Sequence, residues 1–188
     1  MGEQNLIGFE RRYAVATGAY LMLLYGTLGV TPYFFRWLLR TVGRDAYSGS
    51  ITLFLVACAC FVLYRWRHHL RQITPIRALG LSMVGLGYGL ISYTVVAAAN
   101  RLHTLQYGLL VWLAMETIRP GRSLPKVYLL GFLFAIAAAT VDESLQAWLP
   151  NRNGLPSDVL LDGFSVLLAQ SAIFLVKDAP GLKTEKNN

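Results

Sequence analysis

Between residues 100 and 165 the chain places its ionisable side chains at the ends of three successive apolar runs. The first run opens Asn100-Arg101-Leu102-His103-Thr104-Leu105-Gln106-Tyr107, and the second closes Asp142-Glu143-Ser144-Leu145-Gln146. A short loop carrying Arg152 follows, and the third run opens Asp158-Val159-Leu160-Leu161-Asp162-Gly163-Phe164-Ser165. Ionisable groups within apolar helices are costly and normally face a protein interior or a watery cavity. Helical spacing sorts them into faces: Asp158, Asp162 and Ser165 at i, i+4 and i+7, Glu143 with Gln146 at i, i+3, and His103 with Gln106 and Tyr107. A carboxyl beside an imidazole is an acid–base pair, so Glu143 and His103 are the candidate catalytic groups. The planar fork of Arg152 suits a phosphate or carboxylate, with Arg101, Asp142 and Gln146 as further binding groups. Asp158 and Asp162 orient these groups or hold a divalent cation through oxygen. The chain contains neither Gly-x-Ser-x-Gly nor His-Glu-x-x-His.

Positioning such groups requires long apolar elements, and the composition supplies them. Only 14% of the residues are charged and 55% are hydrophobic, against about a quarter charged in soluble domains. The sequence predicts an all-α, polytopic transmembrane bundle of six spans, at 13–30, 47–64, 78–98, 102–118, 127–149 and 159–176. The fourth is short and is bracketed by Arg101 and Arg119. The first run is too long for the apolar core of a secretory signal peptide, and Leu6 stands where N-myristoylation requires Ser or Thr. Net charge is +7, but the basic residues sit in short clusters between apolar runs, a topology signal and not a nucleic-acid surface. With the N-terminus inside, twelve of the seventeen Lys and Arg fall on the inner side, while the ten acids divide equally. Both termini are therefore expected in the cytoplasm. The chain divides into a three-span half (1–99), a second three-span half carrying the polar cluster (100–177) and a polar tail (178–188). Cys58 and Cys60, two residues apart on a helix, diverge and form no metal or disulfide framework.

Three further segments have two readings each. Residues 32–44 are aromatic and basic, with Arg36, Arg40 and Arg44 every four residues, as in a helix lying among phosphate head groups. The alternative is an extension of the first helix or a dip into the bundle. The loop Arg65-Trp66-Arg67-His68-His69-Leu70-Arg71 fixes topology or contacts anionic lipid. Ser82, Gly85, Gly89 and Ser92 form a small-residue stripe for internal helix packing, with a dimer face as the alternative.

The string Asp142-Glu143-x-x-Gln146-x-x-x-Pro150-x-Arg152 with Asp158-Val159 and Asp162-Gly163 resembles the VanZ-like family of prokaryotic membrane proteins. So does Arg101-Leu102-His103 followed by Tyr107-Gly108-Leu109-Leu110. The likeness covers about residues 100–176. Asn100 and Gln106 stand where many members carry acids, and Asp162 where Asn is frequent. The resemblance implies a multi-pass protein of the prokaryotic cytoplasmic membrane and, through the member that names the family, a link to glycopeptide antibiotic resistance. It implies no shared chemical activity. Three functional readings follow. One is acid–base chemistry on a lipid-linked or cell-envelope amphiphile; another is non-enzymatic binding of a lipid or glycopeptide, or service as an accessory subunit of a larger membrane complex. The third is a polar network that only fastens helices. Its four acids against Arg101 and Arg152 leave two charges unmatched, which disfavours pure fastening.

Overall fold

The computed structural model describes residues 3–95, 100–149, 152 and 154–179, with side chains from residue 11 onward, and every regular element among them is helical. In chain order these are α1 (Glu3–Gly26), α2 (Thr31–Val42), α3 (Arg44–Arg65), α4 (Arg67–Leu70), α5 (Pro75–Thr94), α6 (Arg101–Ile118), α7 (Leu124–Trp148) and α8 (Pro156–Ile173). A π-helical turn, Phe174–Asp178, continues α8. Proline explains several of the boundaries. Pro32, Pro75, Pro125 and Pro156 sit in the first turns of α2, α5, α7 and α8, where a missing N–H costs nothing.

Four helices are long and apolar enough to cross a membrane: α3, α5, α7 and α8 with its π turn. The pair α1–α2, from Arg11 to Val42, makes a fifth if counted as one broken span, bent by 65°. The expected first span therefore stops at Gly26, four residues early, and the chain turns there. The segment expected at 32–44 is a separate helix that ends at Gly43, whose φ of +82° favours glycine. Arg44 consequently belongs to α3, and the three-arginine stripe shrinks to Arg36 and Arg40. Residues 96–98 of the expected third span lie outside the described residues.

The bundle is organised around α6, which is packed by α1, α7 and α8. Tyr107, Leu110, Val111 and Met115 on α6 are fully buried against Ala135 and Ala139 of α7 and Val166 of α8. Alanines let two backbones approach closely, which is how helices associate where lipid removes the hydrophobic drive. Gly131 extends this face, since a Cβ there would stand 2.7 Å from Met115 Cγ. Enclosure also explains the composition of α6. Its flanks meet protein and not lipid, so polar residues are tolerated on them. Helix α3 is peripheral, with only Tyr47 and Ile51 buried, packed on Phe35 and Leu38 of α2. Its outward residues, Leu53, Phe54 and Phe61 among them, are large, apolar and exposed, as a lipid-facing surface requires.

Helix α5 corrects the small-residue expectation. Gly85 and Gly89 have no neighbour within 4 Å, so their stripe is not the internal packing face. Gly80 and Gly87 are, each lying under a leucine, Leu175 and Leu168. Gly87→Leu should therefore destabilise the bundle by about 1–3 kcal/mol through overpacking, whereas Gly85→Leu should change it by less than about 0.5 kcal/mol. Thermal unfolding in detergent micelles measures both, and equal losses would refute the assignment of faces.

Candidate functional site

The polar residues of α6, α7 and α8 meet at one end of the bundle. His103 Nδ1 lies 3.2 Å from Asp162 Oδ1, so the first turn of α6 is joined to α8 by an imidazole–carboxylate pair. A carboxylate only accepts, which makes Nδ1 the protonated nitrogen and leaves Nε2 without a partner among the described residues. One turn further along α6 the Tyr107 hydroxyl donates to Asp142 Oδ2 at 2.8 Å. Asp142 is 2% exposed, and its other oxygen, Oδ1, has no partner. A buried carboxylate oxygen left unbonded costs about 1–3 kcal/mol or more, a cost that a bound group would relieve.

Glu143 is engaged differently. Gln146 Nε2 donates to its Oε1 at 3.2 Å, and the backbone N–H of Leu155 donates to its Oε2 at 3.0 Å. The carboxylate thereby pins the loop after α7 back onto that helix. Gly154 makes this approach feasible, because a Cβ there would land on the Glu143 carbonyl oxygen and 2.9 Å from Ala147 N. Arg152 is carried on the pinned loop. It forms no ion pair among the described residues, and its buried Nε has no partner.

These groups border a cavity of about 430 Å³. His103, Gln106, Asp142, Gln146 and Arg152 make its polar wall. Leu23, Leu24 and Leu28 from the α1 side and Phe34 and Phe35 from α2 make the apolar wall. The bend between α1 and α2 is what brings that second wall into place. Tyrosines anchor α1 to the neighbouring helices: Tyr20 donates to the Gln106 carbonyl (3.1 Å) and Tyr25 to the Ala138 carbonyl (3.0 Å).

Of the residues singled out from sequence, His103, Asp142, Glu143, Gln146, Arg152 and Asp162 are brought together. Arg101 is not. Its Nε donates to the Val95 carbonyl at 3.1 Å, and its terminal nitrogen reaches Ser48 and Thr52 of α3. It starts α6 and points across to another neighbour, so the expected pairing of Arg101 with the acids does not occur. Asp158 is partly exposed at the edge, near enough for its charge to act on Glu143 and Asp162. Arg36, Arg40 and Arg44 are exposed and none borders the cavity; Arg36 instead donates to the Pro32 carbonyl and lies 4.9 Å over the Tyr33 ring. Of the two expected cation ligands, Asp162 is engaged by His103, and Asp158 stays close enough for its charge to act on Asp162.

A second network, not anticipated from sequence, closes the opposite ends of the same helices. Arg119 grips Asp178 with two hydrogen bonds, 3.0 and 2.9 Å, and lies 3.3 Å from Glu116 Oε1. Lys177 Nζ donates to the same oxygen at 2.5 Å, and Tyr128 donates to Asp178 at 2.9 Å. The π turn sets both Lys177 and Asp178 within reach of this cluster. Two cations face two anions, so this end is electrically closed. The His103 end is not: among the described residues three carboxylates share it with one imidazole and an arginine that forms no ion pair, and His103 Nε2, Asp142 Oδ1 and Arg152 Nε lack partners. Comparison with protein-family models, with curated proteins and with solved structures finds no match for the chain.

Proposed function

We propose that the chain is a VanZ-like integral membrane protein of a prokaryotic cytoplasmic membrane that receives an amphiphile with an anionic head group in the cavity beside His103. In this reading it crosses six times, with α1 and the enclosed α6 as spans and both termini cytoplasmic. The charge asymmetry of the loops supports that orientation, which turns the His103 end outward. The observation that carries the proposal is the two-sided cavity. One wall is apolar, and the other is lined by an imidazole oriented by a buried carboxylate, by Asp142 with one unbonded oxygen and by an arginine with no ion pair among the described residues. The apolar wall receives a hydrocarbon chain. Arg152 holds a phosphate or carboxylate.

The chemistry falls to His103, with Asp162 as its positioning residue and Glu143 as the anchor of the loop. As an oxygen nucleophile attacks the head group, Nε2 takes its proton; the imidazolium then returns that proton to the departing oxygen. The polar wall offers no serine or cysteine among the described residues, and Thr27 and Thr31 at the rim bond their own helical carbonyls. The attacking oxygen is therefore a water or a hydroxyl of a second substrate. The same observation favours a second reading, in which the cavity binds the amphiphile for a larger membrane complex and performs no reaction.

Native mass spectrometry of protein solubilised from cells, then challenged with membrane lipid extract, tests the proposal. Arg152→Ala should retain at least about tenfold less anionic amphiphile, the loss expected when a hydrogen-bonded charge partner is removed. His103→Ala should retain it but stop its conversion. Retention unchanged in Arg152→Ala would refute the site. Retention with no conversion in the unmodified protein would establish the second reading.

A further inference from the structure

We propose that His103, Asp142 and Glu143 form a binding site for one divalent transition ion of the zinc or manganese class. The inference rests on the reading of this cavity as the functional site and replaces one part of it: with an ion bound, the Nε2 lone pair of His103 would be a ligand and not a proton acceptor, and the ion would supply the activated water instead. One ligand atom from each residue lies within 4.8 Å of the others, and all three residues are buried. They come from two helices that pack directly against each other, so the donors are held on rigid elements.

Three features distinguish this set from a chance group of acids. Asp142 Oδ1 is an unpartnered oxygen on a side chain only 2% exposed, at the cavity wall. A cation supplies the partner it lacks. Each donor is also fixed from behind: Asp162 holds His103 Nδ1, Tyr107 holds Asp142 Oδ2, and the Leu155 N–H holds Glu143 Oε2. A histidine that gives Nδ1–H to a carboxylate presents Nε2 to a metal in a fixed orientation, the arrangement common behind metal-ligating imidazoles. Finally, the local charge requires compensation, since three buried carboxylates meet a single imidazole and Arg152 pairs with none of them.

Donor chemistry selects the ion. Imidazole nitrogen suits zinc and other first-row ions, whereas magnesium and calcium prefer an all-oxygen shell. Three protein ligands leave a coordination position for water or a head-group oxygen, as in reactive and not purely structural sites. His103 and Asp142 border the cavity, so that position opens onto the bound amphiphile.

The test uses the full chain, purified through a histidine-free tag, stripped with chelator and equilibrated with micromolar zinc or manganese before gel filtration and elemental analysis. One ion per chain is expected. His103→Ala and Asp142→Asn should each weaken uptake by at least about a hundredfold, and Asp162→Asn by about 10–100-fold, as loss of an outer-shell partner does. Asp142→Asn is isosteric, and a thermal melt run alongside confirms that it folds. Asp45→Asn, at an exposed carboxylate in the first turn of α3, should leave uptake unchanged. Failure to take up either ion, or uptake indifferent to Asp142→Asn and His103→Ala, overturns the proposal. Amphiphile retention by the stripped protein is measured in parallel. Retention without ion uptake overturns only the cation site, and ion uptake without retention overturns only the amphiphile reading.

Discussion

Glu116→Leu is expected to destabilise the bundle by about 2–3 kcal/mol while leaving amphiphile retention at the opposite end unchanged. Glu116 is 2% exposed, is the one anion that pairs with Lys177 among the described residues, and lies 3.3 Å from Arg119. Its removal leaves two cations facing the single carboxylate of Asp178. Removing one partner of a buried ion pair typically costs 3–5 kcal/mol, because the surviving charge stays desolvated. Two features reduce that figure here. The Lys177 side chain is 39% exposed and can reach water, and Arg119 keeps its two bonds to Asp178. A Glu116→Leu/Lys177→Leu double variant should recover to within about 1 kcal/mol of the parent, since apolar residues of similar volume often replace a buried pair without loss. Unfolding in detergent, followed by circular dichroism, gives all three values. A single variant as stable as the parent would mean that this network contributes nothing to holding α6 against α8.

The contrast between the two polar ends is the basis of the functional argument. On α6, His103 and Glu116 are thirteen residues apart, about 20 Å along a helix, within the roughly 30 Å of a hydrocarbon core. In the six-span reading proposed above both levels fall within that core, so the buried polar groups at each must find most of their partners in protein or in a ligand. The Arg119 end finds them all except one guanidinium nitrogen, whose group is otherwise paired to Asp178. The His103 end leaves an oxygen of Asp142 and a nitrogen of Arg152 without partners among the described residues, on two side chains that border a cavity. That difference separates a clamp from a site, although the two are built from the same residue types on the same helices.

Sequence spacing revealed depth and face but not the identity of the neighbour. The three helix ends and the Arg152 loop could be read as one level because apolar run lengths place polar residues along the helix axis. Helical periodicity likewise put His103 and Tyr107 on one side of α6, where their rings lie 6.0 Å apart. Which helix that side meets depends on rotation about the axis, and a single chain's pattern does not encode it. Arg101 illustrates the limit: two residues before His103, it points to α3 instead. The same ambiguity turned Gly85 and Gly89 into an expected packing face, when Gly80 and Gly87, seven residues apart, are the ones under leucines. The Glu116–Arg119 spacing of i, i+3 is common at helix ends and does not by itself mark a network, since its partners on the π turn are about sixty residues away. The α1–α2 bend left even less trace, since residues 27–30 read as a continuation of the first apolar run.

Gly154→Ala should abolish most amphiphile retention while leaving the bundle folded, at a cost of about 1–3 kcal/mol. The constraint at this position is space and not backbone conformation. The added methyl would meet the Glu143 carbonyl, Ala147 N at 2.9 Å and Ala147 Cβ at 3.0 Å. The first two are backbone atoms of α7 and cannot rotate away, so the loop must lift. Lifting it breaks the Leu155 N–H bond to Glu143 and carries Arg152 away from the cavity. Retention should then fall by at least about tenfold, as in Arg152→Ala, since the guanidinium is displaced as effectively as if deleted. The melting free energy should drop by only about 1–3 kcal/mol, because the loop lies beyond the packed core of α6, α7 and α8. Gly121→Ala provides the opposite case. Its φ of +67° makes alanine unfavourable, but nothing lies within 4 Å of the new methyl and the loop is at the Arg119 end. It should cost about 1 kcal/mol of stability, the usual penalty for a left-handed residue, with retention intact. If Gly154→Ala retained amphiphile as well as Gly121→Ala does, the pinned loop would not be what delivers Arg152, and the cavity would lose its anion-binding group.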